Sequence, residues 1–424
     1  MLSILPVAAQ NMPRVRQTIK TLAAPPMHGR GYVAQGERKA AAYLRQRFQQ
    51  LGMQPLAPNY TQPFTLDVNT FPGELQLRAQ TGSPLRKTRN FRPGIDFIAE
   101  PGSGGGQVHG EAVVFDTLAF TQAAARRHWL ATSLRNRAVV LSARHLARLQ
   151  ASPNDDSLRN SLTVAAARIT LVPQKLTASL SPTQSPQIQL QLLADRWPAL
   201  PVVLDIRVEA ELRRQYPTQN IVGLVPGRQQ PDSFLVVTAH YDHLGRMGAR
   251  TYFPGANDNA SGMAMLLELA AHYARPENQP ACSIVFIAFG AEEAGLVGSR
   301  YFVEHPLIPL SCIRFLLNLD LLGTGSEGAT AVNGRTLPAQ FQLLQQLNAR
   351  RHALPALTAR GQSANSDHFP FAERGVPALF LYTRGGSTAY HDVHDRADTL
   401  PLTAFAPIFG LLTDFLNVLG AATQ

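Results

Sequence analysis

The stretch FLVVTAH, residues 234–240, indicates the fold class of this chain. A short, continuously apolar run is typical of a strand buried on both faces of a mostly parallel sheet, and here a histidine follows the run directly. Three later runs have the same character: SIVFIAF at 283–289, IRFLLNL at 313–319 and ALFLY at 378–382. We therefore predict an α/β fold with a mostly parallel sheet.

Each of these four strands is followed by residue types that bind divalent metals. Open α/β sheets carry their chemistry beyond the carboxyl ends of the strands, so one edge of one sheet is expected to gather these side chains. A metal site at that edge is the simplest explanation of the pattern. In chain order the candidates are His240, Glu292 with Glu293, Asp320, and Tyr390 with His391.

The composition indicates an ordinary globular protein with one large and one smaller domain. The chain has 424 residues, of which 45% are hydrophobic, and a formal net charge of +10. The basic residues are scattered and no recognition module accompanies them, so we interpret the charge as a solubility feature and predict no nucleic-acid partner. No apolar stretch reaches the roughly 18 residues of a membrane span, so none is predicted.

The first ten residues and the cysteines provide information about the cellular compartment of the protein. MLSILPVAAQ, residues 1–10, is similar to the end of a secretory signal, which predicts an exported protein, periplasmic or extracellular. The chain has two cysteines, Cys282 and Cys312, both at the beginnings of predicted strands. They would pair if those strands are neighbours, and two buried free thiols are the alternative.

The periodicity and local composition of the sequence predict a discontinuous α/β domain with an inserted module. Residues 13–52 have helical periodicity interrupted around Pro25 and Pro26, whereas short alternating segments with Gly, Pro, Ser and Thr between them predict a β-rich module over 61–205. The catalytic domain is then expected over 13–60 and 206–424. Its later helices are predicted at 260–274, 338–350 and 402–418.

Two motifs near the first strand have both a structural and a chemical interpretation. In HYDH at 240–243, Asp242 is placed to orient the His240 ring, as carboxylates near metal-bound histidines do. Asp258, in the small-residue turn GANDNASG at 255–262, precedes a buried helix. It is either a helix N-cap or a carboxylate that bridges two metals.

The adjacent acids Glu292 and Glu293 indicate a metal site more specifically than these two motifs do. Two neighbouring carboxylates repel each other, so their position just past a core strand suggests a nearby cation. If one binds metal, the other can act as general base for an activated water. Asp320 follows an equally apolar strand, where an unpaired acid is costly. Two histidines with carboxylates and no thiolate suit zinc.

Taken together, the motifs resemble those of the M28 family of zinc aminopeptidases. The similarity covers roughly residues 207–424 and the helix before residue 52, with the motifs in the family's order. It implies an α/β three-layer sandwich with a mixed central sheet, and hydrolysis of the N-terminal residues of peptides. The motifs are AHYDHLG at 239–245, PGANDNASG at 254–262, AFGAEEAGLVGSRYF at 288–302, LNLDLLG at 317–323, SDHFPFAERGVPAL at 366–379 and YHDVHDRADTL at 390–400.

The resemblance also implies roles for individual residues. Glu292 would be the general base, and Tyr390 would stabilise the tetrahedral oxyanion. It further implies a cis peptide bond between Asp258 and Asn259. Two zinc ions per chain are implied, with His240 and Asp320 for one, Glu293 and His391 for the other, and Asp258 as the bridge.

The last motif departs from the family pattern because it offers two histidines. HDVHD at 391–395 replaces the usual His-Thr-Pro followed by an acid. Aligning the flanking Tyr and Leu favours His391, with Asp395 as the carboxylate that orients it. His394, with Asp398 at the same interval, satisfies the spacing equally.

The sequence gives little support for a nucleotide-binding enzyme or for a hydrolase with a serine or cysteine nucleophile. GTGSEG at 323–328 matches a dinucleotide fingerprint, but no helical pattern opens on it and no acid follows at the distance a ribose requires. No nucleophile elbow is present. Two alternatives on the same scaffold remain: a single-zinc glutaminyl cyclase, and a peptide-binding homologue without catalysis.

Overall fold

The computed structural model describes residues 10–81, 87–198 and 202–421. The predicted export signal therefore lies outside the described residues, apart from Gln10. The chain forms two compact units. The first contains the residues up to Leu66, Pro217–Gly245 and those from Phe253 onward, and the second contains Asp67–Tyr216 and Arg246–Tyr252.

The helices and strands are numbered here in chain order. The helices are α1 (Met12–Leu22), α2 (Gly36–Gln50), α3 (Ala123–Ala131), α4 (Ala143–Ala151), α5 (Asp156–Leu162), α6 (Gly262–Tyr273), α7 (Val297–Glu304), α8 (Pro338–Arg351), α9 (His368–Glu373) and α10 (Phe405–Ala421). The strands are β1 (Gln54–Pro55), β2 (Thr61–Thr70), β3 (Leu75–Thr81), β4 (Lys87–Phe91), β5 (Phe97–Ala99), β6 (Gly106–Val114), β7 (Ala138–Ser142), β8 (Ala167–Val172), β9 (Ile188–Leu193), β10 (Val202–Val208), β11 (Glu211–Val225), β12 (Gln230–His240), β13 (Arg246–Met247), β14 (Thr251–Tyr252), β15 (Cys282–Phe289), β16 (Ile313–Leu319), β17 (Ala329–Val332), β18 (Leu357–Ala359) and β19 (Ala378–Thr383).

The first unit is built on a mixed sheet in the order β1-β11-β15-β12-β16-β19-β17-β18, with β2 paired to β11. The four central strands β15, β12, β16 and β19 are parallel to one another. In register, His240 lies opposite Phe289 and Leu319 lies opposite Leu381. The carboxyl ends of these strands therefore lie at one edge, as the four apolar runs predict.

Alternate residues of the central strands pack into two different cores. In β12, Leu235 and Val237 belong to a core formed with helices α1, α2, α6, α8 and α10. Val236, which points to the other face, belongs to a core that includes Phe302 of α7 and Phe371 of α9. Helices cover both faces of the sheet, so the predicted three-layer α/β sandwich with a mixed, mostly parallel sheet is confirmed.

The helices of this unit occur where periodicity predicts them, with shifts at their ends. All twelve residues of α6 are buried. This helix begins at Gly262 and not at residue 260, because Asp258 and Asn259 have non-helical backbone angles in the preceding turn. The expected cis peptide bond between Asp258 and Asn259 is present. Similarly, α10 begins only at Phe405, after Leu402 with its positive φ.

The described residues of the second unit are mainly β and include three α-helices. Its eight-stranded sheet has the order β4-β3-β10-β6-β7-β8-β9-β5, with parallel pairs from β6 to β9 and antiparallel pairs toward both ends. Helices α3 to α5 contribute Trp129, Leu149 and Leu158 to a core with β7. Periodicity did not reveal these helices because each is short and buries only one or two residues.

The structure also bears on the two cysteines and on the prediction that the chain has no membrane span. Cys282 is buried, Cys312 is half-buried, and both are free thiols. Among the described residues, no helix has the length and apolar character needed to cross a bilayer.

Candidate metal centre

The turn before α6 places a carboxylate between two histidines that are distant in sequence. Oδ1 of Asp258 lies 3.3 Å from Nε2 of His240, and Oδ2 lies 3.2 Å from Nε2 of His391. The two oxygens of one carboxylate thus face two different imidazoles. This is the arrangement expected of a carboxylate shared by two metal sites, rather than of a simple helix N-cap.

The other predicted ligands lie on either side of this carboxylate. Oδ2 of Asp320 is 3.4 Å from Nε2 of His240. Oε2 of Glu293 is 3.1 Å from Nε2 of His391. The structure therefore brings together all five residues of the predicted ligand set in two overlapping groups.

A chain of hydrogen bonds fixes the orientation of Asp320. Thr238 donates to the side-chain oxygen of Asn318 at 2.7 Å, and the Asn318 amide donates to Oγ of Ser366 at 2.8 Å. Ser366 in turn donates to Oδ2 of Asp320 at 3.1 Å. Because these residues are buried, the orientation of the carboxylate is determined by the core itself.

Asp242 contacts the site in two ways. Its backbone carbonyl is 3.2 Å from Nδ1 of His240, so the ring is oriented by the carbonyl, whereas the carboxylate lies 3.9 Å away. The carboxylate instead accepts the backbone N–H groups of Glu292 and Glu293 at 3.0 and 3.3 Å. Asp242 thereby positions the two adjacent acids as well as the histidine.

Asp395 also acts on the backbone. Its two oxygens accept the N–H groups of Asn257 and Asp258 at 2.8 and 2.9 Å. The sequence predicts that Asp395 orients the His391 ring; the contacts seen here hold the turn that carries the Asp258 carboxylate.

The two neighbouring glutamates have opposite electrostatic environments. Burial raises the pKa of Glu292 well above its ordinary value, His240 opposes this shift, and repulsion by Glu293 adds to it. Burial and Asp258 also act to raise the pKa of Glu293, but His391 and His243 outweigh them and hold it at about 2. A carboxylate that stays ionised suits a ligand, and one with a raised pKa suits proton transfer.

His243 is a site residue that the sequence did not single out. Its ring is fully buried, and Nδ1 lies 2.7 Å from Oε1 of Glu293. The imidazole therefore orients the carboxylate that also contacts His391. The signal was present in the HYDH motif, where His243 follows Asp242 directly, but spacing alone did not distinguish the roles of its two histidines.

The donor set fits metal cations. Four carboxylates, those of Asp258, Glu292, Glu293 and Asp320, are collected in one place around imidazoles, which is unfavourable unless cations compensate. In the described part of the chain, Oδ1 of Asp320 is buried and has no hydrogen-bond partner. Ligand atoms of His240, Glu292 and Asp320, and of His240, Asp258 and Glu293, lie within 4.8 Å of one another.

The final motif places its two histidines differently. His391 contacts both Asp258 and Glu293, whereas the His394 side chain is exposed to solvent. Tyr390 stacks on His391, with ring centroids 3.9 Å apart and planes inclined by 14°. The Tyr390 side chain is 45% exposed, so its phenol borders the open side of the site.

The site opens into a cavity of about 240 Å³. Its lining includes predicted site residues, among them Glu292 and Tyr390. It also includes Leu321, Phe380 and Tyr382, together with residues that follow β18. A cavity lined by both polar and apolar side chains is suited to a small ligand.

Arg30 is the most unexpected element of the site. Its side chain is fully buried, and its guanidinium donates only to backbone carbonyls. Burial lowers its pKa to about 10, with nearby Asp258 opposing, so it remains cationic at neutral pH. The acceptors, at 2.7 to 3.0 Å, are the carbonyl oxygens of Leu22, Tyr241, Pro254, Gly255 and Asp258.

These hydrogen bonds connect the N-terminal segment to the loops at the strand ends. A close glycine contact accompanies them, because a Cβ atom on Gly31 would lie 2.4 Å from the Cα atom of Gly245. The absence of side chains at both positions allows the segment to approach the loop that follows His240. Arg30 thus positions the backbone of Asp258.

Replacement of Arg30 by Met should lower the free energy of unfolding by about 3 kcal/mol or more, since several buried carbonyls lose their donor. Thermal or denaturant unfolding of the purified variant measures this change. Arg16→Met provides the matched control, because Arg16 is exposed on α1 and its loss should change stability by less than about 0.5 kcal/mol. Equal stability of the two variants would contradict the positioning role.

Known proteins share the sequence pattern of this site. Residues 220–415 match the model of the peptidase family M28. That part of the chain is similar to M28 peptidases. The matched segment begins within β11 and ends within α10, and it includes all the predicted ligands.

Individual relatives agree with this family. Aminopeptidase YwaD of Bacillus subtilis is 36% identical over 167 residues, covering 38% of this chain and 34% of the relative. Leupeptin-inactivating enzyme 1 of Streptomyces exfoliatus is 32% identical over 165 residues, covering 39% and 35%. The chain therefore spans about a third of the length of these relatives.

Solved structures resemble this chain over nearly its whole length. The zinc aminopeptidase BSAP from Bacillus subtilis has a TM-score of 0.67 at 18% identity, covering 99% of this chain and 97% of the other. The peptidase M28 precursor from Shewanella amazonensis SB2B has a TM-score of 0.70 at 16% identity, covering 97% and 93%. At these identities the likeness supports the fold.

Proposed function

We propose that this protein is a zinc-dependent aminopeptidase that removes N-terminal residues from peptides. The observation that carries the proposal is the position of Asp258, whose two carboxylate oxygens face His240 and His391 separately. A shared carboxylate of this kind is typical of hydrolases that use two metal ions. The M28 match and the relatives named as aminopeptidase or zinc aminopeptidase support the same reaction class.

Two zinc ions are proposed, held by the residues described above. His240 and Asp320 would hold one, Glu293 and His391 the other, and Asp258 both. When bound, zinc supplies Lewis acidity, which polarises a carbonyl group and acidifies water.

The chain's own residues supply the proton transfers. Glu292 lies beside this site, with Oε2 4.0 Å from Nε2 of His240, and is not needed as a ligand. As general base it takes a proton from water as the oxygen attacks the scissile carbonyl carbon. It then gives that proton to the amine nitrogen as the C–N bond breaks, which returns Glu292 to its carboxylate form.

Tyr390 is proposed to stabilise the charge that develops on the carbonyl oxygen. Its ring is held against His391, and its exposed side borders the cavity, where a phenol O–H can donate to the substrate. The cavity accepts the first side chain of the peptide and keeps its carbonyl near Glu292.

A panel of aminoacyl p-nitroanilides, combined with metal analysis of the same sample, tests the proposal. Release of p-nitroaniline with about two zinc ions per chain is expected. Cyclisation of N-terminal glutaminyl peptides by a protein with one zinc would instead identify a cyclase. Peptide binding without turnover in the zinc-loaded protein would identify a binding protein.

Removal of the metal should abolish activity and lower stability. Metals that bind the folded state stabilise it by about 4 kcal/mol at a free concentration a thousand times Kd. Dialysis against a chelator should therefore eliminate turnover and lower Tm, and added zinc should restore both. Full activity in a sample shown to be free of metal would contradict the proposal.

A further inference from the structure

The residues that line the cavity include an arginine besides the predicted ligands. Arg360 follows β18 and lines the cavity together with Phe380 and Tyr382. Nη1 of Arg360 is 3.3 Å from the Tyr382 hydroxyl. The side chain is exposed, so it can meet a ligand that enters from solvent.

The backbone of Arg360 is fixed although its side chain is exposed. Its N–H donates to the carbonyl of Ala331 in β17 at 2.9 Å, and its carbonyl accepts the N–H of Arg335 at 3.1 Å. The Arg360 side chain therefore extends from a fixed backbone position at the edge of the sheet. A rigid base for a charged side chain is what selective recognition of a ligand requires.

Among the described residues, Arg360 has no acidic partner. Its guanidinium has a phenol as hydrogen-bond partner and no carboxylate within the described ranges. Among the described residues that line the cavity, it is the one Arg or Lys, and the acids are Asp258, Glu292 and Asp320. With Asp258 and Asp320 engaged by metals and Glu292 acting as general base, Arg360 would be the cation available to a substrate.

We propose that the Arg360 guanidinium binds a carboxylate of the substrate. The inference rests on the proposed aminopeptidase function and names its substrate class: peptides with a carboxylate close to the scissile bond. That group is either the acidic side chain of the first residue, Asp or Glu, or the free carboxyl end of a dipeptide. A guanidinium suits both because its planar donors match the two oxygens of a carboxylate.

The rest of the wall agrees with this class of ligand. Phe380 and Tyr382 provide apolar surface for the methylene groups between a peptide backbone and a side-chain carboxylate. The Tyr382 hydroxyl accepts a hydrogen bond from Arg360, and both residues line the cavity.

The test uses the zinc-loaded full chain and paired substrates that differ only in charge. One pair is glutamyl and glutaminyl p-nitroanilide, and the other is Leu-Gly and its C-terminal amide. Leucyl p-nitroanilide reports the basic peptidase activity. Arg360→Met should lower kcat/KM about 10- to 100-fold for the anionic member of one pair, and change the neutral member and leucyl p-nitroanilide less than about threefold.

Three further variants sharpen the result. Arg360→Lys keeps the charge but loses the paired donors, so the preference should fall only in part. Arg360→Glu should reverse the preference toward lysyl p-nitroanilide. Arg335→Met is the matched control, since Arg335 is an exposed neighbouring arginine that does not line the cavity, and it should behave as the wild type.

The outcomes separate the two proposals. Loss confined to the glutamyl substrate assigns Arg360 to the first side chain, and loss confined to Leu-Gly assigns it to the dipeptide carboxylate. If Arg360→Met keeps the charge preference of the wild type for both pairs and still cleaves leucyl p-nitroanilide, the role of Arg360 is wrong. The proposed aminopeptidase function would then still stand. If the zinc-loaded wild type cleaves no substrate of the panel, the proposed function fails and the inference fails with it.

Discussion

Replacement of Glu292 by Gln is expected to lower kcat/KM by roughly two to four orders of magnitude, the usual contribution of a general base. The amide has nearly the shape of the carboxylate but cannot accept the proton from water. Glu292 is not in the proposed ligand set, and its backbone N–H remains bound to Asp242, so the metals and the fold should be retained. Steady-state kinetics with metal analysis on the same preparation measure both properties.

Glu293→Gln is the matched control because it makes the same change one residue further along the chain. Glu293 contacts His391 and His243, and its replacement should release one metal and reduce activity through that loss. High zinc concentration should partly restore this variant and leave Glu292→Gln inactive. Equal loss of metal in both variants would mean that the roles of the two acids are wrongly assigned.

Replacement of His391 by Ala should remove one zinc ion and lower activity by at least about a thousandfold, because one of the two proposed metals would be lost. His391 contacts both Asp258 and Glu293, so the variant leaves both carboxylates without this imidazole. Anomalous scattering at the zinc edge, or metal analysis in solution, should find one ion in this variant.

His394→Ala is the corresponding control in the same motif. Its side chain is exposed, while its backbone N–H donates to Asp392 at 2.8 Å, a contact that Ala preserves. We expect both metals and most of the activity to remain. The reverse pattern would move the ligand to His394 and withdraw the oxyanion role from Tyr390, which depends on its stacking against His391.

The fold class was predictable because its signal is simple. Strands such as β12 and β15 are buried on both faces, so their apolar runs are continuous and contrast with the helical periodicity of α8 and α10. The edge that carries His240 and Asp320 then follows from the common direction of the strands. The helices of the second unit were not predicted, because a short helix that buries a single residue such as Leu149 leaves no repeating pattern.

Within the site, the residues proposed as metal ligands were easier to predict than those that hold the backbone. His240, Asp258 and Asp320 have residue types that indicate their chemistry. Arg30 and Asp395 act through hydrogen bonds to main-chain groups, which every residue possesses, so no sequence pattern identifies their partners. An arginine near a helix end is also most often a solvated surface residue, and its burial is visible only in the folded chain.

The hydrogen bonds of Arg30 have a practical consequence for the way this protein is produced. A gene trimmed to the homologous segment, residues 220–415, would encode all the proposed ligands yet lack Arg30 and the whole of α1. The carbonyl groups of Pro254, Gly255 and Asp258 would then face the solvent or one another without their shared donor. Boundaries drawn by similarity and boundaries that permit folding are therefore different in this protein. An expression clone should retain residues 10–36 together with everything that follows them.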